Sequence, residues 1–507
     1  MKHFLARIAR FFWSWGFLKF CFVVVTLVIL LYVEEDWRGA RAWAATKAKW
    51  EARGESFDRN KLIPPPVPEN RNLAALPLFK ESQDPNDKRP SLIDVALKKA
   101  LRRDDHPGLS LSYNWEKGGA PDVAKFRADI ATQYTTAFGK SPANLDTLAQ
   151  FNELYPFAGE LTAATATRPD FRLSLAYDMQ PIYGLSLGLL TDEVGLARIL
   201  TYHALLALDQ QQPDTALADI RTIWQIQQGI SREPMLVAGL VANALTSLSL
   251  GVVYRGLDMH AWSDAQLHEI ETQLRRIDAL TGYQIAMRGE FLMFSIPTLT
   301  YLKTHPQIAN LMGTESNPPP FYDTNPIFNA WPEGWIDLNA ARVTDTLLSS
   351  LALTDPKTHR TFAGVAEKMR SDADAFAGTW VALAPWNIFS AISMGPVLNA
   401  ALQFARAQVR VDEARIACGL ERYRLARGAY PASLDELVPV FMSAVPPDVI
   451  DGQPYRYRLQ PGGNYLLYSI GWNEKDDGGQ AVFSLPPGTD EHDSPNKHGD
   501  WVWPVPR

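Results

Sequence analysis

The side chains with the most chemistry to offer lie near the C-terminus. Ser469, Asn473, Asp476 and Asp477 fall within SIGWNEKDDGG, and Asp490 and Asp493 follow in the tail. A hard cation such as calcium takes six to eight oxygens, mainly carboxylates and carbonyls, from a flexible loop. Asp476, Asp477, Asn473 and Ser469 are therefore candidate metal ligands, and calcium is the cofactor they suggest. The same residues equally suit a solvated acidic turn, where Asp and Gly serve the backbone alone.

Other motifs are weaker. Gly184–Gly188 reads GLSLG and matches G-x-S-x-G, which would make Ser186 a hydrolase nucleophile. That chemistry needs a buried strand before the serine and a helix after it. The preceding DMQPIY contains a proline and does not read as such a strand. His268-Glu269 is not followed by a second His four residues on, so the zinc-peptidase pattern is missing. His203 falls on an apolar helix face, where a hydrogen-bonded core imidazole is expected rather than a metal ligand. His492 and His498 flank Asp493 and together offer a transition-metal set. No phosphate-binding or dinucleotide-binding fingerprint is present. No catalytic residue is assigned.

Composition narrows the classes. The chain has 507 residues, a net charge of −7 and two cysteines. Two cysteines exclude a disulfide scaffold and any multi-cysteine cluster. The acidic balance argues against a nucleic-acid partner over the whole surface. The length predicts about three domains.

Among the elements, Phe17–Val33 (FLKFCFVVVTLVILLYV) carries Lys19 as its only charge. Seventeen helical residues span about 26 Å, near the lower limit for a bilayer core of about 30 Å. Lys19 lies in the first turn, where its stem reaches the headgroups. Lys2, Arg7 and Arg10 precede the run; Glu34, Glu35 and Asp36 follow it. By the positive-inside rule the N-terminus is cytoplasmic and the rest lies outside the cytoplasm. The small residues suited to signal cleavage lie too far beyond the run, so an uncleaved anchor is expected. Trp37–Arg53 reads as a helical stalk closed by Gly54, and Pro64–Pro68 breaks it.

The middle of the chain is helical by periodicity. Leu196, Ile199, Leu200, His203, Ala204 and Ala207 share one helix face; Leu217, Ile220, Ile223, Trp224 and Gln227 share another. Leu236–Leu250 is apolar enough to be buried on most sides. Ser263 with Gln266, and Ser433 with Glu436, form capping boxes. Short connections predict antiparallel neighbours, an irregular helical-hairpin domain of tetratricopeptide-like kind. Asn317–Trp335 is a Pro- and aromatic-rich break. Helical character resumes over Asp337–Leu353, Thr358–Ala377 and Pro396–Arg427. The expected division is 1–60 (tail, anchor at about 17–33, stalk), 61–395 (helical domain) and 396–507 (small α+β domain).

In that last part, YRYRL and YLLYSIG flank PGGN, which reads as an antiparallel hairpin. The order Tyr423, Leu425, Gly428, Tyr430, Pro431, then Pro447, Asp448, Gly452, Pro454, Tyr455, Tyr457, then Tyr468, Ser469, Gly471, Asn473, Asp476, Asp477 resembles the globular part of the major pseudopilin of bacterial type II secretion. The likeness covers about 90 residues, at the C-terminal end of a much longer chain. It implies a long helix, a small antiparallel sheet and an acidic calcium-binding loop. The family's peptidase site at the head of its apolar helix has no counterpart in Phe20–Val33, and Asn473 replaces the family's usual Asp. The whole layout also resembles single-pass bacterial membrane proteins with an anchor, a repeat-like helical middle and this ending. The expected protein is mainly α, anchored in the bacterial inner membrane with its bulk in the periplasm. Its partners are the bilayer and envelope proteins, and its work is interaction or scaffolding. An envelope hydrolase and an accessory of a type II secretion-like system stand as alternatives.

Overall fold

A computed structural model describes residues 15–80, 113–141, 144–175, 177, 188–304, 331–380, 385–484 and 494–504. Ser186, Asp490, His492 and Asp493 lie outside the described residues, as does 317–330 of the Pro-rich break. The fold is mainly helical, with small antiparallel sheets.

Helix α1 (Trp15–Glu51) runs 37 residues without a break. Among the described residues, α1 and Leu236–Asp258 are long and apolar enough to cross a membrane, but they differ in setting. The apolar window of α1 is 0% buried, whereas that of Leu236–Asp258 is 61% buried and belongs to the core. Next come α2 (Val123–Phe138), α3 (Thr147–Leu154), α4 (Pro156–Ala164), α5 (Gly188–Asp209), α6 (Pro213–Ile230) and α7 (Leu236–Asp258). They are followed by α8 (Asp264–Leu274), α9 (Ala279–Gly289), α10 (Ile296–Thr304), α11 (Glu333–Ser349), α12 (Ala363–Trp380) and α13 (Ile388–Arg427). A π-helical segment, Glu290–Ser295, joins α9 to α10.

The helix faces read from periodicity are the buried ones. Leu196, Ile199, Leu200, Ala204 and Ala207 of α5 are inaccessible, as are Ile220, Ile223 and Trp224 of α6. α7 packs against both α5 and α6. Both capping boxes form. The Ser263 N–H donates to Gln266 Oε1 at 2.9 Å, and the Gln266 N–H returns to Ser263 Oγ at 3.4 Å. Glu436 Oε1 accepts the N–H groups of Ala432 and Ser433 at 2.8 and 3.2 Å.

The segment read as a stalk is helical but does not stand free. Residues 35–50 of α1 lie alongside α11, running in the same direction. Glu35 and Asp36 meet Gly334 and Trp335, while Lys49 and Trp50 meet Asp345. Two glycines permit the close approach. A Cβ on Gly39 would stand 2.2 Å from the Gly334 carbonyl oxygen, inside any contact distance. Beyond α1, Arg288 holds Glu55 through two bonds of 2.8 Å, and Phe57 packs edge-on against Trp43 and Phe291.

The helix expected over Thr358–Ala377 starts later. Thr354–Asp355 (β1) pairs antiparallel with Arg360–Thr361 (β2) around His359, which has φ 56°, and α12 begins only at Ala363. The Thr361 N–H donates to Val449 O at 2.7 Å, a tertiary bond that local periodicity cannot reveal. The C-terminal hairpin forms as read. β3 (Arg456–Leu459) pairs with β4 (Tyr465–Ser469) in the register Leu459↔Tyr465 to Arg456↔Tyr468. Gly462 and Gly463 have φ of 96° and 88°, open to glycine and costly for other residues. A third strand, β5 (Trp501–Trp503), pairs with β4. α13 packs against this sheet and also against α7, α8, α9, α11 and α12. The boundary expected at 395/396 falls inside α13, and one apolar core runs through both parts.

Candidate functional site

The site is built on α13. Its sequence QVRVDEARIACGLERYRLAR is rich in strong helix formers and ends at Gly428, whose N–H donates to Arg424 O at 2.8 Å with φ 82°. The helix carries charge through the centre of the molecule, and buried charge persists only when paired. Asp412, fully buried, receives His359 Nε2 at 2.7 Å, Arg415 Nη1 at 3.3 Å, Gln408 Nε2 at 3.3 Å and the Tyr455 hydroxyl at 3.4 Å. Burial is the largest single influence and works to lower the His359 pKa, but the hydrogen bond to Asp412 and the charges of Asp412 and Asp278 together outweigh it, and the net shift is upward. Glu413 pairs with Arg410 at 2.9 Å, and Arg410 also donates to Val502 O at 2.6 Å. Burial pushes Glu413 up to about 8, against the pull of Arg410. Arg406 bonds Glu116 and Asn496, both at 2.5 Å. Glu421 gathers His260, Arg424 and Tyr430 at 2.8, 2.7 and 3.0 Å.

Two hollows flank the contact between α7 and α13. The first, about 350 Å³, is lined by Leu240, Asn243 and Ser247 of α7 and Gln403, Arg406 and Arg410 of α13. The second, about 540 Å³, brings in Gln227, Arg232, Arg276 and Asp278 with Phe404 and shares Asn243 with the first. Asn243 Nδ2, Arg406 Nε and Arg410 Nε are buried without a hydrogen-bond partner, as is Gln227 Oε1. Buried polar atoms are seldom left unmet, so atoms of this kind beside a hollow give it hydrogen-bonding capacity. The walls are otherwise apolar at Leu240, Ala244, Leu250 and Ala407. The arrangement offers donors to carbonyl or carboxylate oxygens; among the described residues, no nucleophile with an adjacent base lines either hollow.

The sequence-derived ligands are placed differently. Ser469 is inaccessible on β4 and donates to Asp448 at 2.9 Å. Asn473 Nδ2 donates to Asp477 at 2.9 Å. Asp476 accepts the Tyr468 hydroxyl and the Gly478 N–H, both at 3.0 Å. Those bonds, the Gly478 N–H foremost, lower the Asp476 pKa. The structure thus brings Asn473 to Asp477 and turns Ser469 and Asp476 elsewhere. Among the described residues no three His, Cys, Asp or Glu side chains group as a metal site. His203 Nδ1 meets Asp219 Oδ2 at 2.7 Å inside the core, the hydrogen-bonded role its helix face suggests. His268 faces Arg422 at 3.5 Å.

Sequence reading missed the charged face of α13, and it named Asp448 only as a matching position of the pseudopilin resemblance, without its role. Asp448 is inaccessible and accepts the Ile450 N–H at 3.0 Å, Ser469 Oγ at 2.9 Å and the Ile470 N–H at 3.3 Å. Burial raises it to about 6 despite those bonds. The missed signal was the density of charge in VRVDEAR, between the apolar stretches VLNAALQFA and IACGL of the same helix. No family model, curated protein or solved structure matches the chain.

Proposed function

We propose that the chain is a single-pass protein of a bacterial inner membrane that displays a helical interaction and scaffolding body in the periplasm. The observation that carries this is α1: an exposed apolar half continuous with a half docked on the body. The helical part supplies tetratricopeptide-like hairpins, a reading supported by α7 resting on both α5 and α6. Residues 396–507 supply a pseudopilin-like unit, supported by the long helix laid on an antiparallel meander. The hollows beside α7 and α13 receive a segment of a partner protein through its carbonyl or carboxylate oxygens.

Alkaline carbonate extraction of membranes holding the full chain should leave it in the pellet; release would overturn the anchor. Protease added to spheroplasts should digest the body, and protection would overturn the orientation. A photo-crosslinker at Leu240, at the mouth of the first hollow, should trap a partner in native membranes. The same probe at Ala426 should not, and equal labelling would overturn the groove as the binding surface.

A further inference from the structure

Three tryptophans gather where α1 leaves its apolar run, and a fourth, Trp37, stands at the same level of α1. Trp37 is 62% exposed on α1 itself. Trp335, on the first turn of α11, donates from Nε1 to Glu35 at 2.9 Å. Trp331 and Trp386 pack edge-on against Trp335 with ring centroids 5.7 and 5.8 Å away. Arg38 lies 5.0 Å over the Trp386 ring, and Arg41 lies 5.3 Å over Trp37. Contacts to Glu35 and Arg38 set the height of this cluster on the α1 axis. At 1.5 Å per residue those two positions stand about 3 and 8 Å beyond Val33. The polar layer on each side of a bilayer core is about 5–8 Å thick. Tryptophan favours that layer because its ring is amphipathic.

We infer that Trp331, Trp335 and Trp386 seat the body directly in the headgroup layer of the bilayer that α1 crosses. The inference rests on the anchored reading above and adds a second, body-borne contact with lipid. The parallel packing of α1 on α11 delivers it: the start of α11 points back toward the same level as the exit of the apolar run. Trp386, just before α13, completes the ring from a third segment. The occupant is the phospholipid interface and not a protein, since the cluster adjoins an apolar helix half that is itself fully uncovered.

The test uses the full chain in phospholipid nanodiscs, with Cys21→Ser and a nitroxide on Glu333→Cys, an exposed position two residues from Trp331 and Trp335. A second label on Ala426→Cys, exposed at the far end of α13, reports the aqueous value. Cys418 is inaccessible, and burial raises its thiol pKa, so it stays unlabelled. Power saturation should show the Glu333 label several-fold less accessible to a nickel chelate, relative to oxygen, than the Ala426 label. Trp331→Gln with Trp386→Gln should return the Glu333 label to the aqueous value, with the circular dichroism of the native chain retained. Equal nickel accessibility at both labels, in a chain that resists carbonate extraction, would overturn the seating and leave the anchor standing. Carbonate release of the chain would overturn both. If the double variant loses its helical signal, single Trp386→Phe decides: it keeps the apolar ring and should preserve the low nickel accessibility, and a full return to the aqueous value would count against the proposal.

Discussion

Asp448 is the residue on which the C-terminal sheet turns. Its carboxylate meets one hydroxyl and two backbone N–H groups from two chain segments. Asp448→Ala strands those donors in a buried place, at a cost of about 3 kcal/mol, while Asp448→Asn keeps one acceptor and costs less. Urea unfolding of both variants checks the order. Glu413 allows a sharper forecast. Its pKa in the folded chain is about 8, above its ordinary 4.5, because burial disfavours the anion. A raised folded-state pKa gives stability that is full below the unfolded value and lost as pH rises through the folded one. Native stability should therefore fall between pH 5 and 8, and Glu413→Gln, which cannot ionise, should fall less over that window. Parallel slopes for the two proteins would refute the assignment. Asp448 adds the same sign over a lower window, up to about 6.

At the scale of elements, the α1–α11 contact depends on the absence of side chains. Gly39→Leu places a branched side chain where even a Cβ would stand 2.2 Å from a carbonyl oxygen. The helices must separate, and a loss of about 3 kcal/mol is expected in thermal unfolding. Trp503 is the corresponding anchor of β5. It is inaccessible and packs 5.5 Å from Trp115 and 6.0 Å from Tyr254, so Trp503→Ala should cost about 3–5 kcal/mol. These elements also show what was legible. The α5 and α6 faces, both capping boxes and the β3–β4 hairpin follow from local rules: helical period, side-chain reach and glycine turns. β5 escaped because Trp-Val-Trp is a three-residue strand whose partner lies more than thirty residues upstream. The β1–β2 turn escaped because Thr361 is fixed by Val449, far along the chain. The charged face of α13 escaped because its partners, Glu116, Glu271, His359 and Tyr455, come from four separate segments. Spacing in one helix cannot announce such a convergence.

For the molecule as a whole, the boundary between the uncovered apolar segment and the docked body lies inside α1. Trp50 is 6% exposed, and Glu55 and Phe57 lock onto α9 and the π-helical segment that follows it. A fragment 34–507 should therefore fold cooperatively in water, whereas 61–507 should expose the face of α11 and aggregate. Size-exclusion chromatography and circular dichroism of the two fragments separate these outcomes. The unbroken course of α1 has one more consequence. Between Val33 and Glu35 there is no hinge, so the azimuth of the body about the axis of the apolar half of α1 is fixed by residue count alone. One residue inserted there swings the body by about 100° and lifts it by about 1.5 Å, while seven return it to within about 20° of its first heading. On the proposed anchoring, α1 acts as a keyed shaft: whatever its faces meet in the bilayer decides which side of the body looks along the membrane.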